Sequence, residues 1–138
     1  MEQAENQFLV YVDDWVKRLP ETSSAEIFKN SGETALLSVD MINGFCRQGS
    51  LASGRIEAII PAIVSLIRKG RDMGLRDIIL LQDCHTQDAK EFDAYAPHAV
   101  CGSSEADTVE EIKALPFFEE MALFTKNSVD SSQNTGFG

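Results

Sequence analysis

The sequence predicts an α/β domain built on a parallel sheet, and three observations carry that prediction. Short apolar runs recur at residues 34–39, 77–81 and 121–125. Segments with helical periodicity precede and separate them, giving the order helix, strand, helix, strand, helix, strand. Each apolar run ends on a polar residue: Asp40, then Asp83 and His85, then Lys126. Right-handed crossovers would place those residues together at the carboxyl ends of the strands, where open α/β sheets bind ligands.

Taken in order, residues 2–18 read as an amphipathic helix, with Phe8, Leu9, Val12, Trp15 and Val16 at spacings of three and four. Pro20 limits its end. Thr22-Ser23-Ser24 offers caps for a short helix through Ile27 and Phe28, and Asn30-Ser31-Gly32 is a turn. Residues 34–39 read as a buried strand and 43–55 as a loop. A helical stripe follows at Ile56, Ile59, Ile60, Ile63, Val64 and Ile67. Pro61 suits only a first turn, so the regular helix is expected to start near 58–60. Residues 77–81 read as a second buried strand, 82–104 as a polar loop, 105–114 as a helix and 121–125 as a third strand.

Composition sets the outer bounds. The chain has 138 residues, enough for one domain with its own core. Twelve Lys and Arg against 22 Asp and Glu give a formal net charge of −10. That surface repels phosphate backbones and anionic lipid, which argues against nucleic-acid and membrane-surface partners. No apolar run approaches the ~20 residues of a membrane span. The acidic start, Met1-Glu2-Gln3-Ala4-Glu5, is unlike a secretory signal. Three cysteines, an odd number without a Cys-x-x-Cys pair, argue against a disulfide framework and predict a reducing cytoplasm.

Two constellations carry chemistry. Asp83-x-His85 leaves a strand, so both side chains fall on one face. Glu91 and His98 follow in the same loop, which holds both histidines of the chain. Such a mixed N and O set suits Zn²⁺, Fe²⁺ or Mn²⁺. The plain alternative is a loop cap and surface histidines. Asp40 and Lys126 end different strands and could act as a general base with its electrostatic partner. They could equally form a structural ion pair, and spacing alone favours that. Phe45 and Tyr95 could stack on a planar substrate or belong to the core. Each cysteine reads more readily as a small buried hydrophobe than as a nucleophile, although Cys101 stands near a helix start that would favour a thiolate. Gly102-Ser103-Ser104-Glu105 could cap the following helix, and it is not a phosphate loop.

Five pieces occur in a particular order: residues 36–45 (LLSVDMINGF), Gln82-Asp83-Cys84-His85, Glu91-Phe92, residues 97–102 (PHAVCG) and Thr125-Lys126-Asn127-Ser128. Together they resemble the isochorismatase-like cysteine hydrolases, in their nicotinamidase branch. The resemblance runs from about residue 34 onward. It implies a three-layer, Rossmann-like, mostly parallel sheet with helices on both faces over residues 32–138, and leaves 1–31 as a helical extension. It also implies roles. Asp40 is the general base and Lys126 the lysine of the triad. Asp83, His85 and His98 are metal ligands, with Glu91 at a further ligand position. Phe45 and Tyr95 flank the substrate ring. The implied cofactor is a zinc, iron or manganese ion. The implied reaction converts nicotinamide to nicotinate and ammonia through a thioester.

One departure stands out. The family's nucleophilic cysteine sits several tens of residues after the lysine, and none of Cys46, Cys84 or Cys101 occupies that place. The expectation is therefore the incomplete N-terminal part of a longer enzyme, inactive alone and prone to self-association as a homo-oligomer. Two competing readings are a non-catalytic module that binds metal or ligand, and a metal-independent vinyl-ether hydrolase of isochorismatase type.

Overall fold

The computed structural model describes residues 2–137. Its centre is β2 (Asp77–Asp83), whose sequence Asp-Ile-Ile-Leu-Leu-Gln-Asp alternates side chains into two faces and buries most of both. β1 (Ala35–Val39) and β3 (Ala122–Lys126) flank it in parallel, in the order β1-β2-β3. The register pairs Val39 with Leu81 and Asp83 with Lys126. That register brings the polar strand ends to one rim of the sheet.

The β1-to-β2 crossover is α5 (Ile60–Asp72), with Pro61 in its first turn as the fixed φ of proline favours. Ile60 and Ile67 of α5, Ile78 and Leu80 of β2, and Ile112 of α6 (Glu110–Lys113) share one hydrophobic core with Phe28, Leu75 and Leu115. Burying each large aliphatic side chain contributes about 1.5–3 kcal/mol.

Other elements show where local pattern yields to context. α1 (Glu2–Lys17) forms as predicted, yet Phe8, Leu9, Trp15 and Val16 are exposed. α2 (Ser24–Ile27) is capped by Ser23, whose hydroxyl accepts the Glu26 N–H at 3.1 Å. The stretch expected to be a loop holds two single-turn helices, α3 (Asn43–Cys46) and α4 (Gly54–Glu57). β1 is less buried than expected, and β3 is exposed in the same way. Leu37 is 44%, Val39 51% and Leu123 51% exposed, because each strand has a neighbour on one side only.

The helix expected over 105–114 also divides. A 3₁₀ turn at Ser104–Ala106 gives way to extended chain before α6. Tertiary hydrogen bonds hold the extended stretch. The Asn43 N–H donates to the Asp107 carbonyl at 2.9 Å, and the Val109 N–H to the Met41 carbonyl at 3.1 Å. The Thr108 hydroxyl donates to Gln82 Oε1 at 2.9 Å. These partners outweigh the weak helical preference of a short segment.

Candidate functional site

Three strand ends supply the first group of polar side chains. Asp40 follows β1 in the left-handed region, at φ 54°, a conformation that Asp tolerates better than most residues. Its N–H still donates to the Leu81 carbonyl at 2.8 Å, so the kink starts only after the ladder has ended. The kink turns the carboxylate across β2. There Oδ1 accepts the Asp83 N–H at 3.0 Å, and Oδ2 accepts from Lys126 Nζ at 3.0 Å. Lys126, 4% exposed, also donates to Asp83 Oδ1 in a short contact.

Burial pushes the Asp40 carboxyl above its ordinary value, and the neighbouring Asp83 adds to that rise; Lys126 acts against both. For Lys126, burial pulls the ammonium down. Its hydrogen bonds to Asp83 and Asp40 outweigh that and hold it above its usual value. With both acids ionised, the trio carries one net negative charge.

The second group grows from the same Asp83. Its Oδ2 faces away from Lys126 and lies 3.4 Å from His85 Nε2 and 4.0 Å from His98 Nε2. Glu91 places a carboxylate oxygen 3.8 Å from each of the same two nitrogens. Donor atoms of Asp83, His85 and His98 all lie within 4.8 Å of one another. Around a tetrahedral zinc with ligands at about 2.0–2.1 Å, neighbouring donors stand roughly 3.4 Å apart, so only small closure is needed.

The rings fit such an ion on a second count. Both imidazoles are buried, and both Nε2 atoms lack a hydrogen-bond partner. Leaving two such atoms unsatisfied is unfavourable by about 1–3 kcal/mol each. A cation at their common focus would satisfy both. His98 Nδ1 lies 2.9 Å from the Ala96 carbonyl, which can only accept, so Nδ1 carries the proton and Nε2 the lone pair. His85 Nδ1 lies 3.2 Å from Asn127 Oδ1.

The chain around the ligands is held by the same logic. His85 forms a parallel bridge with Val100: its N–H donates to the Ala99 carbonyl and its carbonyl accepts the Cys101 N–H, both at 2.9 Å. Ala99 adopts φ 43°, and its N–H donates to Glu105 Oε2 at 3.0 Å. The Phe92 ring stands 5.4 Å from His85 and 5.6 Å from His98, edge to face, and Phe45 stands 5.6 Å from His98. These rings wall the histidines from water. Tyr95 lies on the turn after Glu91 and is 55% exposed.

Thus Asp40, Lys126, Asp83, His85, His98, Glu91 and Phe45 converge on one rim, while Tyr95 faces solvent. The sequence reading gave no individual role to Asn127 or Phe92, and to Glu105 only that of a helix cap. Only Phe92 and Asn127 left a signal, as members of the motifs that resembled a family.

The cysteines overturn an expectation. Cys84 and Cys101 are disulfide-bonded, with Cα atoms 4.6 Å apart. They flank the His85–Val100 bridge, one on each strand-like segment, which makes them neighbours although 17 residues separate them. The odd count concealed a pair plus one free thiol, and the argument for a reducing compartment falls with it. Cys46 is that free thiol, 1% exposed in the core, and burial pushes it above its ordinary value.

Residues 34–138 match the model of the isochorismatase domain family. The chain belongs to the isochorismatase family. Solved structures agree on the fold of this isochorismatase-family chain. An N-carbamoylsarcosine amidase from Thermoplasma acidophilum superposes with a TM-score of 0.66 at 23% identity, over 75% of this chain and 57% of that one. A pyrazinamidase of Pyrococcus horikoshii in complex with zinc gives 0.61 at 24% identity, over 73% and 59%. A nicotinamidase from Bacillus subtilis gives 0.64 at 21% identity, over 75% and 60%. The chain therefore spans less than two thirds of the length of each. A search of curated proteins found no match. No helix among the described residues is long and apolar enough to cross a membrane.

Proposed function

We propose that this isochorismatase-family chain carries the base, the lysine and the metal centre of a cysteine amidohydrolase acting on a small aromatic amide, with nicotinamide as the substrate of choice. One observation carries the reading: the Asp83 carboxylate is shared between Lys126 and two histidines whose buried Nε2 atoms have no partner. A structural ion pair needs Asp40 and Lys126 alone; it does not need two buried lone pairs beside it.

In this reading Asp40 takes the proton of a thiol, its raised value suits it to hold that proton, and the adjacent Lys126 ammonium favours its charged form. The thiolate attacks the amide carbonyl, ammonia leaves with the proton that Asp40 held, and a thioester remains. Water then releases the acid and restores the thiol. Asp83, His85 and His98, with Glu91, would hold a zinc, iron or manganese ion, which when bound supplies a positive charge to hold the ring nitrogen of a pyridine amide. Phe45, beside His98, flanks that ring, whereas the exposed Tyr95 takes no part in this arrangement. The thiol is proposed to come from outside these 138 residues, because Cys84 and Cys101 are bonded to each other and Cys46 lies in the core.

The test pairs metal analysis with nicotinamide turnover, on this chain and on any longer natural form. The reading expects near-stoichiometric metal in both and turnover in the longer form only. A longer form that binds metal and leaves nicotinamide and pyrazinamide untouched would refute the amidase. That same result would favour the second reading, a metal-binding module without catalysis, which the commitment of all three cysteines to structure also supports. A metal-independent vinyl-ether hydrolase has no use for the two unpartnered nitrogens.

A further inference from the structure

We infer that Asn127 is a positioning residue: its side-chain oxygen fixes which nitrogen of His85 bears the proton and so presents the other to the metal. The inference rests on the metal centre proposed above and adds to it a residue outside the ligand set.

The Thr86 N–H can only donate, and the atom it meets at 3.0 Å is Asn127 Oδ1. The amide is therefore oriented with its oxygen on the Thr86 N–H. In that orientation Asn127 Nδ2 donates to Thr86 Oγ1 at 3.2 Å, so both ends of the amide are held by Thr86. The same oxygen lies 3.2 Å from His85 Nδ1. An amide oxygen cannot donate, so Nδ1 must carry a proton there. A neutral His85 then has its lone pair on Nε2, the buried atom that faces Asp83 and Glu91 without a hydrogen bond. Asn127 sets this choice against a local pull. Without it, a proton on Nε2 could bond the Asp83 carboxylate 3.4 Å away, and the ring would turn its donor toward the place of the ion.

The position of Asn127 makes the arrangement economical. It follows Lys126, the last residue of β3. One strand end therefore delivers both the ammonium that meets Asp40 and Asp83 and the amide that orients His85. His98 needs no such helper, because the Ala96 carbonyl, a backbone group no substitution removes, performs the same task.

The experiment measures zinc affinity of the whole chain by chelator competition, together with the imidazole N–H signals of the ¹⁵N-labelled, zinc-loaded protein. The chain has two histidines, so the spectrum should hold two protected Nδ1–H signals, one from each ring. Asn127→Ala is expected to weaken zinc binding about 10–100-fold, the range for losing an outer partner of a ligating histidine. It should erase the His85 signal and leave that of His98. Asn127→Asp keeps an acceptor oxygen and should bind zinc at least as tightly as the wild type. An Asn127→Ala chain with both signals and wild-type affinity overturns the inference. So does an Asn127→Asp chain weakened tenfold or more, which decides the matter even if Asn127→Ala fails to fold. A wild type that binds no zinc would instead refute the metal centre itself, a separate outcome.

Discussion

Asp83 gives one oxygen to Lys126 and turns the other toward two histidines, so a single carboxylate joins the base to the metal centre. Asp83→Asn should accordingly do two things at once. Metal content should fall to background, and urea unfolding should show a loss of about 1–3 kcal/mol as Lys126 keeps only one anionic partner in a buried setting. Retained metal with unchanged stability would show that the carboxylate links nothing. Asp40 allows a test of sign. Its folded-state value lies above the ordinary 3.8, so the folded chain holds the proton more firmly than the unfolded chain. The stability it contributes is present below that ordinary value and is lost as pH rises through the folded value. In the metal-free chain, Asp40→Asn should flatten that part of the stability–pH curve; parallel curves would contradict it. Cys46 gives a simpler forecast: burial and a raised thiol should leave it unalkylated in the native chain. One thiol should then react on unfolding, and three after reduction. Three thiols without reductant would disprove the Cys84–Cys101 pair.

At the scale of the element, the strap over 97–105 decides whether His98 reaches its neighbours. Ala99 holds a left-handed kink because its N–H is taken by Glu105 and its carbonyl by the His85 N–H. Glu105 in turn lies against Gly49, itself at φ 91°, where any added Cβ would collide with the carboxylate. Gly49→Ala therefore meets both backbone strain and a displaced Glu105. It should cost more than about 1 kcal/mol of stability, since a φ of 91° strains alanine and no partner like those of Ala99 holds it there. It should also weaken zinc binding through His98. Thermal unfolding and chelator competition check the two effects. A variant as stable and as tight-binding as the wild type would mean that Glu105 does not anchor the strap.

For the whole molecule, the unshared surfaces matter most. Leu37 and Val39 of β1, Leu123 of β3 and Phe8, Leu9, Trp15 and Val16 of α1 are each exposed, in a chain with ten net negative charges. Exposed apolar faces and unpaired strand edges drive association, and net charge opposes it. The expected outcome is self-association that strengthens with salt, read by size exclusion with light scattering. The paired substitution Leu37→Ser and Val39→Ser should reduce it. A monomer at all salt concentrations would refute the homo-oligomer.

The sequence by itself determined the three strands to within about two residues, the parallel α/β class and the polar residue that ends each strand. These are local properties. An apolar run, a proline in a first turn and a two-residue spacing such as Asp83-x-His85 act through neighbours along the chain. The convergence of Asp40, Lys126 and the histidines was legible only as a family likeness, because spacing alone favoured a structural ion pair for Asp40 and Lys126. Tertiary structure decided the rest. Register set Lys126 beside Asp83, the His85–Val100 bridge set Cys84 beside Cys101, and bonds from Asn43 and Gln82 held 107–109 extended where local preference favoured helix. Each of those outcomes depends on contacts between residues 15 to 64 positions apart, beyond the reach of a local sequence pattern.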